Sequence, residues 1–368
     1  MGGFPLKLKW IVIICICLSL VLAPLKVDAK PSVSARNAVL MEQETGRVLY
    51  EKQAHEKRNI ASITKIMTAI IAIESGMMDE TVETSKRAVY TEGSSIYLEE
   101  GEEMKLEDLV YGLMLRSGND AAMAIAEHVG GSMEGFVHLM NQKAEWIGMT
   151  HSHFANPHGL DADGHYSTAY DMALLTRYAM ESDVYKKIAG TTTYKSETRT
   201  YAWGNKNKLL TRLYDYSTGG KTGYTKTAGR TLVSTAEKDG MNLIMVTLNG
   251  PDDWNDHIHT FNWGFKTFEM RDLKEEGEHS LDSATGYLWD TVKAPLTEEE
   301  YKQLTTKTQI QKPSGYESVN SVLGQAIFEV DQEVVATAPV MATPMPQTQT
   351  KSLAQTVFSL FKELIGAK

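Results

Sequence analysis

Cysteine is nearly absent from this chain of 368 residues, which has two, at positions 15 and 17. Both lie in the apolar run 10–23, which follows two lysines and precedes Val27-Asp28-Ala29. A basic start, a short apolar core and a small-residue cleavage pattern predict a signal peptide over residues 1–29. The alternative is an uncleaved membrane anchor, for which the run is short. After cleavage no cysteine remains, which excludes a thiol nucleophile, a cysteine–zinc site and a disulfide.

Positive charge is also scarce. Lysine and arginine number 37 against 47 aspartates and glutamates, which gives a formal net charge of -10. Residues 1–29 carry three lysines and one aspartate, so their removal leaves the mature chain more acidic still. Nonspecific attraction to phosphates requires clustered lysine and arginine, and no basic patch with interleaved aromatic residues is present. The composition therefore predicts no nucleic-acid partner.

Patterns of metal ligands are missing as well. Four histidines follow one another closely at irregular spacing, namely His151, His153, His158 and His165. The segment Asp161-Ala162-Asp163-Gly164 imitates the start of a calcium loop, but its glycine comes too early. We therefore predict no metal and no cofactor, and we assign the histidines to ordinary hydrogen bonding.

Hydrophobic periodicity divides the chain into strands, then helices, then strands. The predicted strands are 37–43, 47–53, 230–237, 241–248, 324–330 and 334–340. The predicted helices are 63–73, 106–115, 121–129, 136–147, 168–180 and 254–268. This order predicts an α+β fold, in which the first and last strands of an antiparallel sheet meet beside a helical subdomain. A catalytic domain over 30–271 precedes a small β-rich domain over 272–340.

The C-terminal segment has a composition of its own. Residues 341–350 are rich in proline, threonine and glutamine, which predicts an extended linker. In 351–368 six apolar residues fall on one helical face: Leu353, Val357, Leu360, Phe361, Leu364 and Ile365. This amphipathic pattern predicts a helix that lies in the membrane surface. The alternative is a helix packed on the protein's own domain.

The segment Ser62-Ile63-Thr64-Lys65 places a nucleophile near a base. Residues three apart on a helix share a face, so the lysine can take the proton of the serine hydroxyl. Burial or a second cation would lower the pKa of Lys65 enough for this task. The start of a helix adds free N–H groups that stabilise an oxyanion. For an isolated match, an ordinary capping serine and a solvated lysine is the alternative.

Two further segments complement this pair. Ser117-Gly118-Asn119 falls between two predicted helices, where the serine can relay a proton and the asparagine can donate to a substrate carbonyl. Lys221-Thr222-Gly223 follows two glycines and supplies a cation and a hydroxyl for a carboxylate. A strand ending in Gly223 leaves an edge on which an extended substrate can pair. Taken singly, each segment is better explained by a turn or by a glycine-rich strand entry with a surface lysine.

The three segments, in this order, resemble the motifs of penicillin-binding proteins and serine β-lactamases. Segments 60–65, 115–121, 156–161 and 219–225 are more narrowly similar to the low-molecular-mass D-alanyl-D-alanine carboxypeptidases of peptidase family S11. The similarity runs from about residue 30 to 270. Within that family, 111–115 and 170–173 resemble the sporulation-specific carboxypeptidases of spore-forming Gram-positive bacteria. The implied fold is the β-lactamase/transpeptidase-like sheet with flanking helices.

The resemblance implies a role for each catalytic residue. Ser62 would form an acyl-enzyme with the penultimate D-alanine of a peptidoglycan stem, and Lys65 would take its proton. Ser117 would pass a proton to the departing D-alanine, while Asn119 would orient the peptide. Water would then release the shortened peptide.

The resemblance also implies a substrate-binding strand. Lys221 and Thr222 would bind the terminal carboxylate beside Gly223, and the N–H of Tyr224 would form the oxyanion hole with that of Ser62. Some relatives are expected to place an arginine in the loop after the last strands. Residues 252–257 contain none here.

The sequence therefore predicts an exported D-alanyl-D-alanine carboxypeptidase that trims peptidoglycan stem peptides and binds β-lactam antibiotics. Its predicted location is the outer face of the cell membrane, with spore cortex as the narrower setting. The alternatives are a β-lactamase and a penicillin-binding sensor without turnover. A β-lactamase often uses a glutamate-bound water, and no Glu-x-x-Leu-Asn-like segment lies between Ser117 and Lys221.

Overall fold

A computed structural model of the protein describes residues 30–280, 285–310 and 322–342. Its strands, in chain order, are β1 (Asn37–Glu42), β2 (Val48–Lys52), β3 (Thr81–Glu83), β4 (Glu103–Lys105), β5 (Thr193–Tyr194), β6 (Trp203–Gly204), β7 (Ser217–Thr225), β8 (Gly229–Lys238), β9 (Met241–Leu248), β10 (Glu269–Lys274), β11 (Gly277–Ser280), β12 (Thr285–Leu288), β13 (Val292–Leu296), β14 (Thr305–Ile310), β15 (Val322–Val330) and β16 (Glu333–Met341).

The helices lie mostly between β2 and β7. They are α1 (Lys65–Glu74), α2 (Lys86–Val89), α3 (Leu106–Arg116), α4 (Asn119–Gly130), α5 (Met133–Ile147), α6 (Ala169–Ala179), α7 (Asp183–Ala189), α8 (Asp253–Thr267) and α9 (Glu298–Gln303). In the described segments no helix has both the length and the apolar character needed to cross a bilayer. The predicted signal peptide 1–29, most of the predicted linker and the predicted helix 351–368 lie outside the described residues.

A five-stranded antiparallel sheet forms the centre of the fold, in the order β2-β1-β9-β8-β7. The N-terminal strand β1 lies against β9, with Val39 opposite Val246. The predicted meeting of first and last strands is therefore confirmed. Among the described residues β7 forms one edge of this sheet, and the site described below is built on that edge.

All six residues of strand β1 are buried, because both faces of the strand are covered. Side chains alternate across a strand, so Val39 and Met41 enter the core shared with the helical subdomain. Ala38 and Leu40 enter a second core, beneath α8, together with Phe261. The sheet is therefore a middle layer with helices on both faces.

Helix α1 is the axis of the helical subdomain. Eight of its ten residues are buried, from Lys65 to Ala72, because α3, α4 and α6 pack around it. A helix that is buried on all sides is normally apolar throughout, and Lys65 is the charged exception. The packing of α1 thus carries one lysine into the interior.

The predicted helix 63–73 begins two residues too early, because Ser62 lies in a turn that precedes the α-helix. Residues Ala61–Thr64 form a 3-10 turn, and α1 begins at Lys65. The Thr64 hydroxyl donates to the Ala61 carbonyl at 2.8 Å, and Ala61 has a φ of 49°. This tighter geometry precedes the α-helix and sets the direction in which Ser62 points.

Beyond α8 the chain forms a β-rich region with its own core around Phe328, Ala294 and Leu296. Strands β11-β12-β16-β15-β14 make one sheet and β10-β13 another. The predicted strands 324–330 and 334–340 correspond to β15 and β16, while the predicted boundary after residue 271 falls inside β10. Arg47 forms an ion pair with Glu300, which ties this region to the β1-β2 turn.

Candidate active site

The three motifs meet at a cleft between the helical subdomain and β7. Ser62 comes from the 3-10 turn, Ser117 from the α3-α4 turn, and Thr222 to Tyr224 from the strand. These residues line an open cleft of about 370 Å³. Three elements distant in sequence therefore bring the predicted residues together.

Lys65 lies at the centre of the site and is fully buried. Its Nζ lies 3.0 Å from Ser62 Oγ, 2.6 Å from Asn119 Oδ1 and 2.6 Å from the His158 carbonyl oxygen. The last two atoms only accept hydrogen bonds, whereas a hydroxyl can donate or accept. A neutral amine has two N–H groups and one lone pair. It can therefore satisfy both carbonyls and accept the serine proton.

The surroundings of Lys65 favour the neutral amine. Burial holds the pKa of Lys65 well below its ordinary value, and the nearby cations Lys221 and Lys206 lower it further. Asp120 opposes this shift. Desolvation and like charge both disfavour the ammonium form, which are the conditions under which a lysine acts as a base.

Asn119 is the first residue of α4 and joins Lys65 to segment 92–96, whose Ser94 lines the cleft. Its Oδ1 accepts from Lys65, its Nδ2 donates to the Glu92 carbonyl at 2.5 Å, and its backbone N–H donates to the Ser94 carbonyl at 2.6 Å. Asp120 accepts from the backbone N–H of Ile96. The start of α4 thus holds both the base and one wall of the cleft.

Ser117 occupies a left-handed backbone conformation, with a φ of 65°, at the end of α3. Such a conformation is costly for a serine and is common at functional sites. Its Oγ accepts from Lys221 Nζ at 3.1 Å, and Lys221 also donates to the Thr222 carbonyl at 2.7 Å. Burial first, and Lys206 second, lower the pKa of Lys221 to about 7.

Gly223 allows β7 to approach the nucleophile. A Cβ at this position would lie 2.4 Å from Thr231 Oγ1 and 2.9 Å from the Ser62 backbone nitrogen. Only glycine avoids both clashes. The strand continues to Thr225 rather than ending at Gly223 as predicted. It pairs with β8 on one side and turns its other edge, with the half-buried Thr222 and the exposed Tyr224, toward the cleft.

Comparison with known proteins places this geometry in a family. The peptidase S11 model, described as D-alanyl-D-alanine carboxypeptidase, matches residues 25–252. This chain belongs to the S11 D-alanyl-D-alanine carboxypeptidases. It is therefore a serine hydrolase that acts on peptidoglycan, and the predicted family and enzyme class are confirmed.

Individual relatives agree with the family match. The D-alanyl-D-alanine carboxypeptidase DacF of Bacillus subtilis (strain 168) is 33% identical over 334 residues, covering 84% of this chain and 85% of the relative. DacC of Escherichia coli (strain K12) is 39% identical, over 65% of this chain and 63% of the relative. The crystal structure of penicillin-binding protein 5 from Haemophilus influenzae has a TM-score of 0.75 at 25% identity, over 86% of this chain and 98% of that one. The predicted fold class is thereby confirmed.

This carboxypeptidase holds an arginine at the site in a place that the sequence analysis missed. Arg230 on β8 lines the cleft, and its guanidinium lies 2.7 Å from the buried Asp253 carboxylate. It also lies over the Trp254 ring, as does Lys208. Residues 252–257 contain no arginine, and their Asp253 and Trp254 instead hold Arg230 in place. The register of the β7-β8 hairpin, which pairs Arg230 with Tyr224, is the signal that identifies it.

The loop that contains segment 156–161 lies behind the nucleophile of the S11 enzyme, and its contacts there were not predicted from the sequence. The His158 carbonyl accepts from Lys65, and the Pro157 carbonyl accepts from Thr68 at 2.6 Å. His165 Nε2 lies 2.8 Å from Thr64 Oγ1. These histidines make hydrogen bonds, and burial lowers the pKa of His158 to about 3 and that of His165 to about 4.

Proposed function

We propose that this enzyme removes the terminal D-alanine from peptidoglycan stem peptides through an acyl-enzyme on Ser62. The observation that carries the proposal is the set of contacts around Lys65, whose Nζ reaches Ser62 Oγ at 3.0 Å while two carbonyl oxygens accept its N–H groups. That arrangement favours an amine with its lone pair on the serine proton. It is the chemical requirement for activating a serine without histidine.

Acylation then uses both sides of the cleft. Ser62 Oγ attacks the carbonyl carbon of the penultimate D-alanine as Lys65 takes the hydroxyl proton. The backbone N–H groups of Ser62 and Tyr224 donate to the oxyanion. When the C–N bond breaks, the proton that Lys65 took from Ser62 passes through Ser117, which Lys221 contacts, to the leaving amine, so Lys65 is neutral again before water attacks. Stabilising an oxyanion with such preorganised donors is commonly the largest catalytic contribution.

Lys221, Thr222 and Arg230 bind the terminal carboxylate of the substrate. All three belong to the β7-β8 hairpin, next to the nucleophile turn. Arg230 is held in place by Asp253, so its fork needs little further ordering to meet a carboxylate. An extended peptide pairs with the free edge of β7. Asn119, which accepts a hydrogen bond from Lys65, orients that peptide.

Deacylation returns the enzyme to its starting state. Water attacks the ester carbonyl, gives one proton to Lys65 and releases the shortened peptide, and the proton returns to Ser62 Oγ. A β-lactam acylates the same serine, because its strained amide presents a carbonyl and a carboxylate at a similar separation. The covalent penicilloyl adduct is expected to turn over slowly.

The proposed setting is the outer face of the cell membrane, with trimming of spore cortex peptides as the narrower role. The amphipathic pattern of 351–368 supports a membrane anchor, and the relative from a Bacillus supports the spore setting. Deleting 351–368 is expected to move the protein from the membrane pellet to the supernatant. Unchanged pelleting contradicts the anchor. Spores that lack the enzyme are expected to contain more cross-linked muropeptides.

The decisive assay is release of D-alanine from diacetyl-L-Lys-D-Ala-D-Ala by the purified protein. We expect steady turnover by the wild type, none by Ser62→Ala, and one fluorescent penicillin bound per wild-type molecule. Stoichiometric penicillin binding without D-alanine release identifies a sensor. Rapid repeated hydrolysis of penicillin identifies a β-lactamase.

A further inference from the structure

A chain of hydrogen bonds runs from the loop behind the active site to the nucleophile turn. The backbone N–H of Ala155 donates to His165 Nδ1 at 3.0 Å. His165 Nε2 lies 2.8 Å from Thr64 Oγ1, and Thr64 Oγ1 donates to the Ala61 carbonyl at 2.8 Å. His165 and Thr64 are both buried. Neither residue lines the cleft, and the catalytic steps proposed above give no role to the contact between them.

The direction of each bond in this chain follows from the groups themselves. Nδ1 accepts a backbone N–H, so it carries no proton. The Thr64 hydroxyl uses its one proton on the Ala61 carbonyl, which accepts only. Nε2 must therefore carry the proton and donate it to Thr64 Oγ1. The histidine is neutral, in a single tautomer, and every donor faces an acceptor.

The chain ends on one side of a peptide plane whose other side is catalytic. The Ala61 carbonyl and the Ser62 N–H belong to the same planar peptide unit and point in opposite directions. Any rotation of the carbonyl turns the N–H by the same angle. The bond from Thr64 to the Ala61 carbonyl thus fixes the direction of the Ser62 N–H.

Further contacts restrict this plane. Ala61 has a φ of 49°, which an L-residue rarely adopts. A Cβ on Gly159 would lie 2.0 Å from the Ala61 carbonyl oxygen, so the loop backbone closes against that atom. On the preceding side, Thr231 Oγ1 donates to the Ile60 carbonyl at 3.0 Å. A strained backbone conformation persists only when its surroundings hold it, and these contacts hold it.

We propose that Thr64 and His165 are positioning residues that aim the Ser62 N–H at the oxyanion. They act through the Ala61–Ser62 peptide plane and do not touch the substrate. The inference rests on the proposed function insofar as Ser62 is the acylated residue. It does not depend on which peptide is the natural substrate, because acylation by a β-lactam uses the same N–H.

The first test compares Thr64→Val with Thr64→Ser. Valine keeps the shape of threonine and removes the hydroxyl, while serine keeps the hydroxyl. Stopped-flow acylation by a fluorescent penicillin separates the maximal rate constant from the dissociation constant of the initial complex. Loss of one oxyanion donor costs about 10²–10³ in rate, so we expect misdirection to lower the rate constant by about 10- to 100-fold. The dissociation constant should stay unchanged, and Thr64→Ser should remain within about 3-fold of wild type.

The second test changes the start of the chain. Gln at position 165 can place an N–H where Nε2 lies, whereas Leu cannot. We expect the maximal acylation rate constant of His165→Gln to be about 10-fold higher than that of His165→Leu, with the difference again in that constant. Melting temperatures identify any variant that is unfolded, and the valine–serine pair at position 64 then carries the test.

Three results overturn the inference. One is a Thr64→Val variant that is acylated at the wild-type rate. Another is a Thr64→Val variant in which only the dissociation constant of the initial complex changes. The third is failure of Thr64→Ser to restore the rate in a folded protein. If wild type acylates normally with penicillin but releases no D-alanine, the proposed function fails while the positioning test remains valid.

Discussion

The two walls of the cleft each bury one lysine and use it differently. Lys65, on the helical wall, is surrounded by a hydroxyl and two carbonyl oxygens. Lys221, on the strand wall, is also buried, donates to Ser117 and to the Thr222 carbonyl, and has the cation Lys206 nearby. Burial lowers the pKa of both lysines.

The difference shows that burial alone does not decide the role of a lysine. Around Lys65 each acceptor is satisfied by a neutral amine, so loss of the ammonium proton leaves no group unpaired. Next to Lys221, the cleft is lined by Lys206, Lys208 and Arg230, which attract an anion, and a charge retained on Lys221 contributes to its binding. The first environment favours a base and the second favours an anion anchor.

The largest expected effect distinguishes the two lysines directly. Lys65→Arg keeps a cation that cannot lose its proton, so acylation by penicillin should fall by about 10³-fold or more, near the upper range for general-base catalysis. Lys221→Arg keeps the charge that the strand wall requires, so it should lose less, about 10- to 100-fold. Rates are measured by acylation kinetics, with melting temperatures as the control. Equal losses in two folded variants contradict the division of roles.

Arg230 tests the strand wall alone. Arg230→Gln should lower kcat/KM for a peptide with a free terminal carboxylate by about 10- to 100-fold, because hydrogen bonds to charged groups contribute about 1.5–3 kcal/mol. The matched control is Lys226→Gln, which removes the same charge from an exposed residue of the same hairpin. With a C-terminally amidated peptide, Arg230→Gln should not lower kcat/KM any further relative to the wild type. If the substitution lowers kcat/KM as much for the amidated peptide as for the peptide with a free carboxylate, Arg230 does not bind the carboxylate.

The pH dependence separates the walls by a smaller factor. The pKa of Lys221 is about 7, so its charge is present below that pH and is lost as the pH rises. KM for the carboxylate peptide should therefore increase several-fold between pH 6 and pH 8.5. In Lys221→Arg the KM should stay flat, since arginine remains charged. A flat wild-type profile removes the charge of Lys221 from the binding step.

The sequence identified the chemistry of both walls because short motifs preserve local spacing. Ser62 and Lys65 are three residues apart, and that separation survives the change from α-helix to 3-10 turn. The turn itself was missed because its contacts include His165 and Gly159, about a hundred residues away. Arg230 was missed because its place depends on strand register rather than on its neighbours in sequence. The β-rich region around residues 272–312 has weak periodicity, so its short strands left little signal.

The smallest expected effect concerns stability in acid. Burial lowers the pKa of His165 to about 4 and that of His158 and His257 to about 3, below the ordinary 6.5. The unfolded chain therefore binds protons first, so this stability is fully present above about pH 6.5 and is lost as the pH falls toward 4. The melting temperature should decline over that range. His165→Gln should show a shallower decline, and an identical slope assigns the acid sensitivity elsewhere.

The free edge of β7 has a consequence for solubility. An unpaired strand edge is a template on which another chain can add a strand and begin aggregation. Here Gly219, Gly220 and Gly223 occupy three of the nine positions of β7, and glycine weakens strand pairing because it offers no side chain to pack. Gly219 and Gly220 are buried as well, so the part of the edge at which a second chain could add a strand is short.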